Sequence, residues 1–144
     1  MKGYRSIGES ELKFLLFSNN PVYGQRIWSN IVGSGCHVNT YGTVCFFLEP
    51  YKWHDKQHKF DLVVRIPDDA DIGIAVYNVS PKMEETKIFT GRTGNSAVLI
   101  KEAYVRFYNP EDICELHLNG GYADWFVEES IRPFCEKYGI LLYR

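Results

Sequence analysis

The segment from residue 101 to residue 118 constrains the fold most, because two strand-like runs flank a turn. Within residues 101–105, Glu102 stands at the head of an apolar, strand-like run. Residues 109–112 contain Asn, Pro, Glu and Asp, a composition typical of turns. Residues 113–118 then predict a second short strand. A carboxylate at the start of a buried strand is well placed to hold a sugar hydroxyl or to orient a nucleophile.

Length and composition indicate a single globular domain that spans residues 1–144. Apolar residues make up 45% of the chain and aromatic residues 15%, which is enough to build a core without disulfides or metals. The formal net charge is −2, so the chain has no overall basic field. A nucleic-acid partner would have to be held by a local patch.

The four cysteines, at positions 36, 45, 114 and 135, are widely spaced and form no CxxC pair. This spacing predicts reduced, mostly buried thiols and no zinc or other metal site, with a disulfide pairing as the alternative. The first residues lack the apolar core of a signal peptide. No apolar run approaches the roughly 20 residues that span a bilayer. We therefore expect a cytoplasmic protein that makes no membrane contact.

Hydrophobic periodicity predicts mostly strands, with helices near both ends, and hence an α+β domain. Strands are expected at residues 4–7, 44–48, 60–66, 72–79, 97–100, 103–108, 113–118 and 140–143. Leu12, Leu15 and Leu16 predict one face of a first helix that ends near residue 18, with Ser6 and Glu9 at capping-box spacing. A second helix is expected over 123–138, which Pro133 would kink or divide.

Three motifs occur in an order that resembles the ADP-ribosyltransferase family. They are Arg5 on the opening strand, the Gly-led apolar run at 42–48, and Glu102 on a late strand. The resemblance spans residues 4–118. It implies two packed, mostly antiparallel sheets with a cleft that binds NAD as a substrate. The chain would then be a small toxin or effector that cleaves the nicotinamide–ribose bond and transfers ADP-ribose to a protein or nucleic-acid acceptor.

The resemblance also implies roles for single residues. Glu102 would be catalytic, because a carboxylate stabilises the positive charge that develops as nicotinamide departs, with Glu49 and Glu115 the next candidates. NAD binding would fall to Tyr4, Arg5, Thr43, Tyr51 and Arg92. Arg5 and Glu102 would then lie across one cleft. The structural alternatives are a surface Arg5, a pure core strand at 44–48, and a solvent-facing Glu102.

Other functions compete with the transferase. His54 and His58 have the i,i+4 spacing of a helical metal pair but no evident third ligand, and a solvated loop is the favoured interpretation. The same cleft could be a non-catalytic pocket that binds or sequesters a nucleotide. A third possibility is an interaction module that uses the aromatic-rich C-terminal helix. No sequence feature identifies the acceptor or the oligomeric state.

Overall fold

The computed structural model of the chain describes residues 1–24, 42–49, 60–79, 96–120 and 122–144, and it describes no side chains for 75–79 and 96–99. The predictions for Tyr51, Arg92, Cys36, His54 and His58 lie outside these residues. The same holds for most of the Gly-rich stretch at 21–43.

Within these ranges the chain forms nine strands. They are β1 (Lys2–Ile7), β2 (Val22–Tyr23), β3 (Val44–Phe47), β4 (Phe60–Arg65), β5 (Asp71–Val79), β6 (Ser96–Val105), β7 (Phe107–Tyr108), β8 (Ile113–Leu118) and β9 (Leu141–Tyr143). Seven of them form one sheet in the order β5-β6-β3-β1-β4-β8-β9, and β2 pairs with β7 in a separate ribbon. All pairs are antiparallel except β8 with β9.

Helical structure lies near both ends of the chain. Helix α1 (Glu9–Ser18) follows β1. Near the C-terminus, α2 (Asp124–Phe126) continues through a π-helical turn (Val127–Ile131) into α3 (Arg132–Tyr138). Pro133 lies in the first turn of α3, where a missing N–H is tolerated. Ile131 and Arg132 before it have right-handed helical dihedral angles, so the helical backbone is continuous up to Pro133.

The capping box predicted for α1 is wrong. The N-cap residue is Gly8, and no side chain caps the helix there. Ser6 instead lies inside β1, where its hydroxyl donates to Asp61 Oδ1 at 2.5 Å. The predicted end of the helix is confirmed, because Asn19 takes the left-handed conformation (φ 54°) that terminates many helices.

One cluster of buried side chains joins the sheet to both helical segments. It includes Ile7 of β1, Phe46 of β3, Leu62 of β4, Leu116 of β8, Leu12 and Leu15 of α1, and Val127, Ile131 and Phe134 near the C-terminus. Burial of such side chains is the main force that holds the sheet and helices together. The two helical segments also touch directly, because the Tyr138 hydroxyl donates to Asn19 Oδ1 at 2.9 Å.

The architecture confirms a mixed α+β fold with a mostly antiparallel sheet and helices near both ends. The expected second sheet corresponds, in the described residues, only to the two short strands of the β2–β7 ribbon. One local expectation is wrong. β6 runs without a break from Ser96 to Val105, so Glu102 lies inside this strand and not at its start.

Candidate functional site

The register of the sheet decides which side chains share a face. Tyr4 lies opposite Phe47, Phe47 lies opposite Glu102, and Glu102 lies opposite Gly73. Side chains of directly opposed residues project from the same face, and successive residues alternate between faces. Tyr4 and Glu102 therefore share one face, and Arg5 points to the other. The prediction that Arg5 and Glu102 lie across one cleft is wrong.

Arg5 belongs to a buried network with Glu11 of α1. Its Nε and Nη2 donate to Glu11 Oε2 and Oε1 at 2.9 and 2.7 Å, and its Nη1 donates to the Cys45 carbonyl at 3.1 Å. The Tyr108 hydroxyl donates to Glu11 Oε2 at 2.7 Å. Arg5 is only 4% exposed. Its guanidinium therefore ties β1 to α1 and β3 and is not presented to a ligand.

The network also fixes the protonation state of Tyr108. Burial, followed by the negative charge of Glu11, raises the pKa of Tyr108 well above its ordinary value. The phenol therefore stays protonated and remains a donor. Sequence reasoning missed Glu11, although one signal was present. Glu11 stands on the buried side of α1 beside Leu12 and Leu15, where an unpaired carboxylate would be costly.

Glu102 is buried, with only 1% of its surface exposed, so the structural alternative of a solvent-facing Glu102 is wrong. Its neighbour on the same face is Tyr104. Burial, then the charge of Glu102 and a hydrogen bond to it, raise the pKa of Tyr104 to about 12. Gly73 makes room for this ring, since a Cβ at Gly73 would lie 2.7 Å from Tyr104 Cε2. Glu102 thus lies beside a tyrosine whose position depends on a glycine.

Tyr104 also lines a cavity of about 740 Å³ between the β4–β5 turn and the β6–β7 segment. This volume lies in the range of about 300–1,000 Å³ that is usual for small-molecule sites. The charged and aromatic side chains that line it are two arginines, three aspartates and three aromatic rings: Arg65, Arg106, Asp69, Asp71, Asp112, Tyr104, Phe107 and Tyr108. The cavity therefore offers both signs of charge beside aromatic surface.

Hydrogen bonds order one wall of the cavity. Arg65 Nη2 donates to the Glu111 carbonyl at 2.6 Å. Asp112 accepts from the backbone N–H of Asn109 at 3.1 Å and from its side-chain amide at 3.2 Å. This capping box fixes the turn of Pro110–Asp112. Arg106, in contrast, is exposed at the cavity.

The β2–β7 ribbon lies at the rim of the cavity. Its inner residues, Val22 and Tyr108, are buried in the core, and its outer residues, Tyr23 and Phe107, are 48% and 43% exposed. The outer rings form a pair with centroids 5.2 Å apart and an interplanar angle of 37°. The Gly24 N–H donates to the Arg106 carbonyl at 2.8 Å and holds the ribbon beside the cavity. Sequence reasoning did not single out this pair.

The remaining predicted residues within the described ranges lie elsewhere. Tyr4 and Thr43 are half-buried, Glu49 is exposed, and none of the three lines the cavity. Glu115 also lies outside it. It contacts His117 Nε2 at 3.3 Å through Oε1, and the His117 ring stacks on Tyr143 at 4.5 Å. Among the predicted site residues that the structure describes, only Glu102 adjoins the cavity, and it does so through Tyr104.

Cys45, Cys114 and Cys135 are not joined in disulfides. Burial raises the pKa of Cys135 to about 11. In the part of the chain that the structure describes, no group of three or more His, Cys, Asp or Glu side chains is placed to hold a metal ion. Over the same residues, no helix has the length and apolar character needed to cross a membrane.

Comparisons with protein-family models, with curated proteins and with solved structures give no match. The geometry of the site is therefore the basis for inferring what this chain does.

Proposed function

We propose that the chain is a non-catalytic nucleotide-binding protein and that its ligand occupies the cavity between the β4–β5 turn and the β6–β7 segment. The observation that carries this proposal is the set of side chains around that space. Two guanidinium groups, three carboxylates and three aromatic rings line one cavity of about 740 Å³. Each type of group has a natural counterpart in a nucleotide.

The polar and aromatic side chains of the cavity correspond to the phosphate, ribose and base of a nucleotide. Guanidinium groups bind phosphate oxygens with paired, charge-assisted hydrogen bonds, which suits Arg65 and Arg106. Carboxylates accept hydrogen bonds from ribose hydroxyls, as they do in dinucleotide-binding folds, which suits Asp69 and Asp71. An aromatic ring stacks on a base of any identity, and Tyr104 and Phe107 both line the cavity.

Calorimetric titration with adenosine monophosphate tests the proposal. Arg106→Gln removes one charged donor from the cavity. Because a hydrogen bond to a charged group contributes about 1.5–3 kcal/mol, we expect binding to weaken by roughly 10- to 150-fold. The control is Arg132→Gln, which removes an exposed arginine of α3 that is paired with Glu128. Failure of a nucleotide series to bind the wild type, or equal losses in both variants, would refute the proposal.

The NAD-cleaving transferase stays a prediction. In its favour, Tyr104 connects the cavity to the buried carboxylate of Glu102. Against it, Glu102 is only 1% exposed, and Arg5 is used within the core. Catalysis would require Tyr104 to move aside. Incubation with labelled NAD and a cell lysate tests this function. Transfer of label that is lost in Glu102→Gln would support the transferase, and nucleotide binding without any release of nicotinamide would exclude it.

A further inference from the structure

We infer that the ligand of the cavity carries two bases, and that the second base stacks on the paired rings of Tyr23 and Phe107. This inference depends on the proposed nucleotide site and extends it. Phe107 lines the cavity, whereas Tyr23 does not. The ring pair therefore begins at the cavity and continues beyond its rim. A mononucleotide inside the cavity would leave the outer ring without a role.

The construction of the ribbon supports a stacking surface. Val22 and Tyr108 are buried and anchor the inner side of the ribbon, so Tyr23 and Phe107 on the outer side are held in place. Both rings are nearly half exposed. Each therefore lacks part of the stabilisation that burial of its apolar surface would give. Aromatic side chains displayed on strands beside positive charge are the usual platform for unpaired bases. Arg106 supplies that charge, since it directly precedes Phe107 and lines the cavity.

The spacing along the chain also fits two adjacent nucleotides. Tyr104 and Phe107 both line the cavity and are three residues apart, so their Cα atoms are separated by at most about 10–11 Å. One base beside Tyr104 and one on the Tyr23–Phe107 pair would leave the linking phosphate near Arg106. Two ligand types share this chemistry, namely nucleosides joined by a pyrophosphate and nucleosides joined by a 3′,5′-phosphodiester.

Three probes separate the alternatives: adenosine monophosphate, NAD as the pyrophosphate-linked dinucleotide, and ApA as the phosphodiester-linked one. We expect one dinucleotide to bind more tightly than the mononucleotide, and the identity of that dinucleotide reports the linkage. Tyr23→Ala should weaken binding of this dinucleotide by about 5- to 150-fold, which corresponds to about 1–3 kcal/mol for one stacked base. Adenosine monophosphate should bind Tyr23→Ala as it binds the wild type.

Tyr23→Phe is the matched control, because it keeps the ring and should keep the tight binding of the dinucleotide. Equal affinities of the wild type for all three probes would overturn the two-base inference and leave the nucleotide site intact. Equal weakening of all probes in Tyr23→Ala would also overturn it, since the ring would then act only by supporting the cavity. Absence of binding by any probe would refute the nucleotide site itself.

Discussion

Replacing Glu11 with Gln should destabilise the protein strongly although the two side chains have the same shape. Glu11 accepts two hydrogen bonds from Arg5 and one from Tyr108, and it is 1% exposed. Removing its charge leaves the guanidinium of Arg5 buried without a counter-charge. Loss of one partner from a buried ion pair costs about 3–5 kcal/mol. The free energy of unfolding of a typical domain is about 5–15 kcal/mol. This single change should therefore remove a large part of the stability.

Urea unfolding followed by circular dichroism measures this loss. Glu9→Gln is the control on the same helix, because Glu9 is 63% exposed and pairs with Lys13 across one turn. That surface pair contributes about 0.5 kcal/mol or less, so the control should unfold almost as the wild type does. A loss below about 1 kcal/mol in Glu11→Gln would contradict the assignment of a buried charge pair.

A double-mutant cycle measures the energetic coupling between Arg5 and Glu11 directly. Arg5→Leu and Glu11→Leu should each be costly, because each leaves one charge buried and unpaired. The combined variant removes both charges and should lose less than the sum of the single losses by about 2–3 kcal/mol. Additive losses would mean that Arg5 and Glu11 act independently, which the bidentate geometry forbids.

Three further predictions follow from the site and the core. Gly73→Ala should cost about 1–3 kcal/mol in urea unfolding because its Cβ would displace the Tyr104 ring, and an unchanged midpoint would refute that packing. The pKa values of Tyr104 and Tyr122 are raised to about 12, mainly by burial, so above pH 10 the folded state retains protons that the unfolded state loses. Stability should therefore fall as the pH rises from about 10 to 12, and unfolding curves that do not change with pH over this range would contradict the burial. The Cys135 thiol is buried and has a pKa raised to about 11, so at neutral pH a disulfide reagent should modify it more slowly than the half-buried Cys114, and mass spectrometry that finds equal rates would refute this.

Much of the secondary structure could be predicted from the sequence because the signals are local. The apolar run at 44–48 and the strand at 113–118 depend on neighbouring residues only, and both are found. The break proposed between 100 and 103 failed for a local reason as well. A charged pair, Lys101 and Glu102, looks like the end of a buried strand, but one face of β6 accommodates Glu102.

The arrangement of the site could not be predicted, because it depends on register. Tyr4 and Arg5 are adjacent in sequence, and a shift of one residue in the pairing with Phe47 would exchange their faces. The residues around Tyr4 and Arg5 do not by themselves specify the register of this strand pair. The pairing of Arg5 with Glu11 and Tyr108 likewise joins residues from β1, α1 and β7. The cavity unites two chain segments, 65–71 and 104–112, whose proximity only the folded sheet creates.

The position of β1 in the sheet has a consequence for how the chain folds. Of the seven strands of this sheet, β1 comes first along the chain and lies at the centre, where it joins one half of the sheet, β5-β6-β3, to the other half, β4-β8-β9. Lys2 of β1 pairs with Arg65 of β4, so this pairing joins residues that are distant in sequence. Closing such long loops before any contact is gained makes folding slow, typically milliseconds to seconds. Until residues 60–65 emerge from the ribosome, the strand that unites the two halves stays unpaired on that side.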